Sequence, residues 1–474
     1  MAKRYWRSVK PGLGPLSFLI TVLTPAPLGL EAEAWLVCGL AAWMMIWWIG
    51  EVLPLAVTAL LPVVVLPLSG VVSLGSATTS YANPVVFLFL GGFLLALAIQ
   101  STGLHQRMAH QVVALGGARL DHLVAAVMGA TAVLSMWISN TAAAAILLPI
   151  AMSILAAAER GKSGQTETPL TPALLIGVAF AANIGGMATL IGTPPNAILA
   201  AYLSEQYELH VSFAGWMLFA LPISLVLLVL AWWTLVRVCF PVGRAPVADL
   251  PERFAEQRSQ LGSWRIAEKR VAGVLTLAIL AWMFRPLLEG LVPGIDDAVI
   301  ALTAGILLFL LPSGDGAQPR LLDWEQTRNL PWGVLILIGG GLSLGTAVGD
   351  TGLAEAIADG LKGLGDHPLV ILVVLVAVIA MLVSHVTSNT AAAATLIPVV
   401  AAVAVSIQVS PLSLAMPVAL ATSCAFMLPN ATPPNAIVFG SNRLHVPQMF
   451  KAGAILSMLS IGLLLVVGLI LYTL

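Results

Sequence analysis

Apolar stretches of membrane-spanning length recur along this chain, at 15–30, 32–50, 52–69, 83–101, 211–237, 270–292, 296–312, 331–349 and 446–473. A span takes about 20 residues. In lipid every backbone N–H and C=O must find its partner inside the protein, so such runs are helices. Of the 474 residues 59% are hydrophobic and 9% charged, where soluble domains carry about 25% charged. Too little polar surface remains to face water. A soluble enzyme, a nucleic-acid binder and a disulfide-built secreted scaffold are excluded, and the lipid bilayer is the partner that the composition demands. Cys38, Cys239 and Cys424 lie far apart in apolar stretches and read as packed free thiols. Residues 15–30 follow a basic tail without a clean cleavage site and read as a first spanning helix.

Four further regions are apolar but interrupted: 123–158, 171–203, 367–408 and 411–440. The first and third are too long for one span and short for two. Each carries Ser-Asn-Thr at its middle, which suits a re-entrant hairpin. The other two carry Thr-Pro-Pro-Asn and read as broken helices. Non-helical backbone survives at membrane depth only where protein buries it or it lines a wet cavity. The expected fold is an all-α polytopic membrane protein of about eleven transmembrane helices with two re-entrant hairpins. A cytoplasmic N-terminus places nineteen of the 21 Lys and Arg inside and leaves Arg285 and Lys362 outside, in line with the positive-inside bias. The C-terminus is then outside. Residues 241–268 read as a cytoplasmic linker.

The chain repeats itself. Ser135, Ser139, Asn140, Thr141 and the four alanines after them recur as Ser384, Ser388, Asn389, Thr390 and four alanines, at an offset of 249. Gly91-Gly92 recurs at the same offset as Gly340-Gly341. Gly192-Thr193-Pro194-Pro195-Asn196 recurs as Ala431-Thr432-Pro433-Pro434-Asn435, at an offset of 239. Each copy holds five spans, and an odd number inverts the second copy. Paired interrupted helices in inverted repeats point to the midplane site of a transporter.

Ser, Asn and Thr are N-cap residues, and Pro is favoured at the first helical position. Four half-helices should therefore begin near one place. Helix N-termini present partial positive charge and free N–H groups, which suit an anion. Hydroxyls and small residues also serve as packing glue between helices, and one Ser-Asn-Thr alone would be read that way. Two copies at symmetric positions, each with its Thr-Pro-Pro-Asn, read as a site. The Gly-Gly pairs read as close helix packing, and Trp43, Trp47 and Trp48 as interfacial belt and packing. No Lys or Arg occurs from 363 to 442, and 121–236 holds only Arg160 and Lys162, both in a loop. An anion bound here has no basic side chain to neutralise it, and an unpaired buried charge is costly. A cation is the natural compensation, and hydroxyl, amide and carbonyl oxygens at broken helices coordinate Na⁺. No intramembrane Asp/Glu relay is evident; Glu51 reads as an interfacial acid. His385, beside the second Ser-Asn-Thr, is open to two readings, a packed neutral imidazole or a proton switch. No H-E-x-x-H, G-x-S-x-G or G-x-x-x-x-G-K-[ST] motif occurs.

At these motifs the whole chain resembles the divalent anion/sodium symporter family, which includes bacterial dicarboxylate carriers. The stretch from Ser423 to Val438 is similar to that family's signature. It departs at Asn430, where an apolar residue is usual, and His385 stands where acidic or apolar residues are typical. The resemblance implies sodium-coupled symport of divalent anions, most of all C4-dicarboxylates, with sulfate or citrate carriage and sodium-independent exchange as alternatives. It implies substrate contacts from Asn140, Thr141, Asn389, Thr390, Thr432 and Pro433. One sodium would use Ser135, Ser139, Asn140 and Gly192; the other would use Ser384, Thr387, Asn389 and Ala431. It further implies a homodimer in the cell's inner membrane and an elevator mechanism. The fixed scaffold would be 1–122 and 269–366, and the moving transport domain 123–240 and 367–474.

Overall fold

The computed structural model describes residues 2–27, 29–159, 168–244, 259, 261–315, 318–360 and 368–473. Arg160, Lys162, Arg253, Arg258, Lys362 and much of the 241–268 linker lie outside the described residues. Among the described residues, nine helices are long and apolar enough to cross a membrane, and five shorter helices are also apolar. Leu218, Val386 and Met458 are each 74% exposed, an outer surface that suits lipid and not water. The three cysteines are free, Cys239 and Cys424 buried and Cys38 half-buried.

Proline sets several boundaries away from the hydropathy edges. The first helix is Ala2–Leu23 and stops before Pro25 and Pro27, not at residue 30. The 52–69 stretch is two short helices, Leu55–Thr58 and Leu61–Leu68, and not one span. Residues 270–292 divide into Ile266–Met283 and Arg285–Glu289. An unexpected strand pair, Pro312–Asp315 with Gln318–Arg320, follows the helix Asp297–Leu310.

Both hairpins and both breaks are present. The first hairpin has arms Leu120–Ser135 and Asn140–Ala158, and the second Leu369–Val386 and Asn389–Ser406. The first broken helix has halves Leu170–Met187 and Pro194–Tyr207, and the second Pro411–Thr422 and Pro433–Phe439. The packing is crossed: Asn140–Ala158 lies on Pro433–Phe439, and Asn389–Ser406 lies on Pro194–Tyr207. Each hairpin therefore meets the break of the other copy. The repeated glycines are close approaches. A side chain on Gly91 would run into Ala301, and one on Gly340 into the backbone of Ala59.

A polar seam joins this group to the remaining helices. Glu205 accepts from Ser80 Oγ at 2.9 Å, Asn83 Nδ2 at 3.0 Å and Thr346 Oγ1 at 2.9 Å. Asp297 Oδ2 accepts from Phe213 N at 2.7 Å, and the Phe213 ring stacks on Trp282 at 4.1 Å. A cavity of about 260 Å³ lies along the seam, lined in part by Asn83, Ser204, Ser212 and Asp297. At the linker end, buried Arg107 pairs with Glu268 at 3.0 Å and donates to the carbonyls of Leu261, Gly262 and Ser263.

Candidate functional site

The Ser-Asn-Thr turns cap the returning hairpin arms, but the cap is the serine. Ser139 Oγ accepts from Ala142 N at 3.3 Å, and Ser388 Oγ from Ala391 N at 3.1 Å. Asn140 and Asn389 are already helical, so their side chains are not caps and turn back toward the outgoing arm. Asn140 Oδ1 stands 2.7 Å from Ser135 Oγ, and Asn389 Oδ1 stands 2.8 Å from Ser384 Oγ. The same serine oxygens lie 2.6 Å from the carbonyls of Ala182 and Thr422. A hydroxyl carries one proton and cannot serve two acceptors fully. Each copy thus sets a serine hydroxyl against an amide oxygen and a carbonyl oxygen, uncharged oxygens of the kind that coordinate a monovalent cation.

The unwound backbone is held by the asparagines of Thr-Pro-Pro-Asn. Asn196 Nδ2 donates to Gly186 O at 3.1 Å and Thr189 O at 2.8 Å. Asn435 Nδ2 donates to Ala425 O at 3.3 Å and Leu428 O at 3.0 Å. These amides satisfy carbonyls that a continuous helix would have paired. Asn183 Nδ2 donates to Thr432 Oγ1 at 3.0 Å and ties the two copies together. Two close approaches complete the first copy. A side chain on Gly186 would run into Asn140 Oδ1, and a Cβ on Gly192 would lie 2.5 Å from Gly186 O.

The structure brings Ser135 with Asn140, and Ser384 with Asn389, into direct contact. Ser139 and Thr141 are exposed at their tip; Asn140, Asn389 and Thr390 are half-buried. Thr387 is buried, and its hydroxyl donates to Val383 O at 3.1 Å. Gly192 and Ala431 are buried in the breaks, Thr432 is occupied by Asn183, and Pro433 and Asn430 are exposed. Sequence reasoning missed Asn183, whose signal is a lone amide in an apolar run, and Gly186. It also missed the Ala182 and Thr422 carbonyls, which leave no sequence signal because every residue has one. No Lys or Arg belongs to the helices that build this site.

Facing broken helices and hairpin tips, duplicated in inverted repeats within lipid-facing helices, define a secondary transporter. The model of the sodium:sulfate symporter transmembrane region matches residues 13–474, and the chain belongs to that family, the divalent anion/sodium symporters. It is 39% identical over 463 residues to the sodium-dependent dicarboxylate transporter SdcS of Staphylococcus aureus strain bovine RF122 / ET3-1, covering 96% of this chain and 89% of that one. SdcS of strain USA300 is 38% identical over the same shares. The fold is shared with the YdaH transporter of Alcanivorax borkumensis, at TM-score 0.55 and 18% identity over 85% of this chain and 86% of that one. It is shared also with MtrF of Neisseria gonorrhoeae, at TM-score 0.57 and 14% identity over 85% and 83%.

Proposed function

We propose that this chain is a sodium-coupled symporter of divalent anions, with C4-dicarboxylates such as succinate, malate and fumarate as its substrates. The duplicated oxygen cluster at Ser135/Asn140 and Ser384/Asn389 carries this reading. The relatives named as sodium-dependent dicarboxylate transporters support it. The first sodium is held by Ser135, Ser139, Asn140 and Gly192, the second by Ser384, Thr387, Asn389 and Ala431. The substrate lies against Asn140, Thr141, Asn389, Thr390, Thr432 and Pro433. Each asparagine links the two ligands: Oδ1 faces the cation, which leaves Nδ2 to donate to a carboxylate. No covalent step is involved, and the chain is a carrier and not an enzyme.

Residues 1–122 and 269–366 form the scaffold of a homodimer, and 123–240 and 367–474 move as an elevator. This division runs through the bonds of Glu205 and Asp297 and through the packing of Pro194–Tyr207 on Trp332–Asp350 and of Asn389–Ser406 on Leu353–Gly360, the contacts that such a movement would have to break. The N-terminus is cytoplasmic and the C-terminus outside, in the cell's inner membrane.

A dianion without a basic partner needs two monovalent cations to cross without net charge; each uncompensated charge costs about 2.3 kcal/mol per 100 mV. Succinate uptake into proteoliposomes is therefore expected to require Na⁺ and to rise sigmoidally with its concentration. Undiminished net uptake in choline, with no dicarboxylate inside, overturns the coupling. Sulfate or citrate taken up in preference to succinate overturns the substrate. Uptake that depends on internal dicarboxylate and not on Na⁺ makes the protein an exchanger.

A further inference from the structure

The two breaks make the same turn. In the first, Thr189 O accepts from Gly192 N at 3.3 Å and from Asn196 Nδ2 at 2.8 Å. In the second, Leu428 O accepts from Ala431 N at 3.2 Å and from Asn435 Nδ2 at 3.0 Å. What joins this turn to the hairpin tip differs. Thr189 is buried, and its hydroxyl donates to Met136 O at 2.7 Å. Leu428 has no hydroxyl. The position matching Met136 at the offset of 249 is His385, also buried, whose Nε2 accepts from Met427 N at 3.1 Å. Its Nδ1 lies 2.7 Å from Met381 O. A neutral imidazole with its proton on Nδ1 satisfies both bonds. The second copy has thus exchanged both members of the pair: hydroxyl to carbonyl became backbone N–H to imidazole.

We propose that His385 is a positioning residue for the second cation site. It locks Met427, and through the Leu428 carbonyl the Ala431 backbone, against the hairpin arm that carries Ser384. Thr189 does the same for Gly192 in the first copy. Being neutral, His385 ties the break down without placing a second positive charge beside a bound cation. The assignment of the site to sodium rests on the function proposed above; the tie itself does not.

Three proteins test it: the parent, His385→Met, and His385→Met with Leu428→Thr, which installs the bond used by the first copy. Two quantities are read on the purified protein in detergent: the thermal midpoint in K⁺ buffer, and the Na⁺ concentration giving half-maximal stabilisation. The succinate half-saturation is read in proteoliposomes at saturating Na⁺. His385→Met is expected to lower the midpoint in K⁺ and to raise the Na⁺ requirement about fivefold, as loss of a bond worth about 1 kcal/mol implies. It should leave the succinate half-saturation within about twofold. The double variant is expected to recover both the midpoint and the Na⁺ requirement. A His385→Met protein that matches the parent, or a double variant no better than the single one, overturns the proposal. So does an equal shift of the Na⁺ and succinate curves. If His385→Met does not fold, recovery of folded protein by Leu428→Thr supports the tie, and failure to recover it overturns the tie. A parent that Na⁺ stabilises no better than K⁺ removes the sodium reading alone, and the midpoints in K⁺ still decide the tie.

Discussion

In the first repeat the helix after Thr-Pro-Pro runs fourteen residues, Pro194–Tyr207, and Pro195 to Leu203 are all buried. In the second the same motif opens a helix of seven residues, Pro433–Phe439, with Pro433 and Ala436 exposed. The hairpin tips are reversed. Ser139 and Thr141 are exposed, whereas Ser388, Asn389 and Thr390 are half-buried. Yet the distances inside the two oxygen clusters agree to within about 0.1 Å. Duplication preserved the geometry of the oxygen cluster and left access to it to the surrounding helices. The longer half in the first copy reaches Ser80, Asn83 and Thr346 through Glu205; the second ends too soon to do so.

The strongest test of the equivalence is removal of the amides. Asn140→Ala and Asn389→Ala each delete one cluster oxygen. Loss of a bond to a charged group costs about 1.5–3 kcal/mol, so each should lower Na⁺-driven succinate uptake at least tenfold while the protein still folds. A variant that transports like the parent breaks the equivalence for its repeat.

A second pair separates the repeats. Gly186 has no room for a side chain, whereas Ala425 stands at the matching position at the offset of 239. Gly186→Ala should displace the Asn140 amide and raise the Na⁺ requirement about tenfold. Ala425→Gly should change it less than about twofold. Equal effects would mean that the close approach is not peculiar to the first copy.

Thr189→Val removes the hydroxyl bond to Met136 O and should raise the Na⁺ requirement about fivefold, the change expected for about 1 kcal/mol. Thr189→Ser should recover most of it, since the hydroxyl remains. The smallest effect is expected at the seam. Glu205→Gln keeps the shape and weakens three bonds by removing the charge. Initial uptake rates should change about twofold with the Na⁺ requirement unaltered, and a shifted Na⁺ curve would place Glu205 in ion binding instead.

The spans, the two hairpins, the two breaks and the internal repeat were legible in the sequence, because a lipid solvent enforces helix length and forbids unpaired backbone. Ser135 was grouped with Asn140, and Ser384 with Asn389, by the family resemblance, and the structure puts each pair in contact across its hairpin turn. The edges set by Pro25 and Pro54 were misjudged, since hydropathy averages over residues whose backbone geometry breaks the helix. The serine and not the asparagine proved to be the cap, because both side chains suit that position and only the direction of the Asn140 amide, turned toward Ser135, decides. Asn183 on Thr432, His385 on Met427 and Glu205 on the seam join residues 249, 42 and up to 141 positions apart. A sequence states which groups can bond; which of them meet is decided by how helices pack, and here by the crossing of each hairpin onto the break of the other repeat.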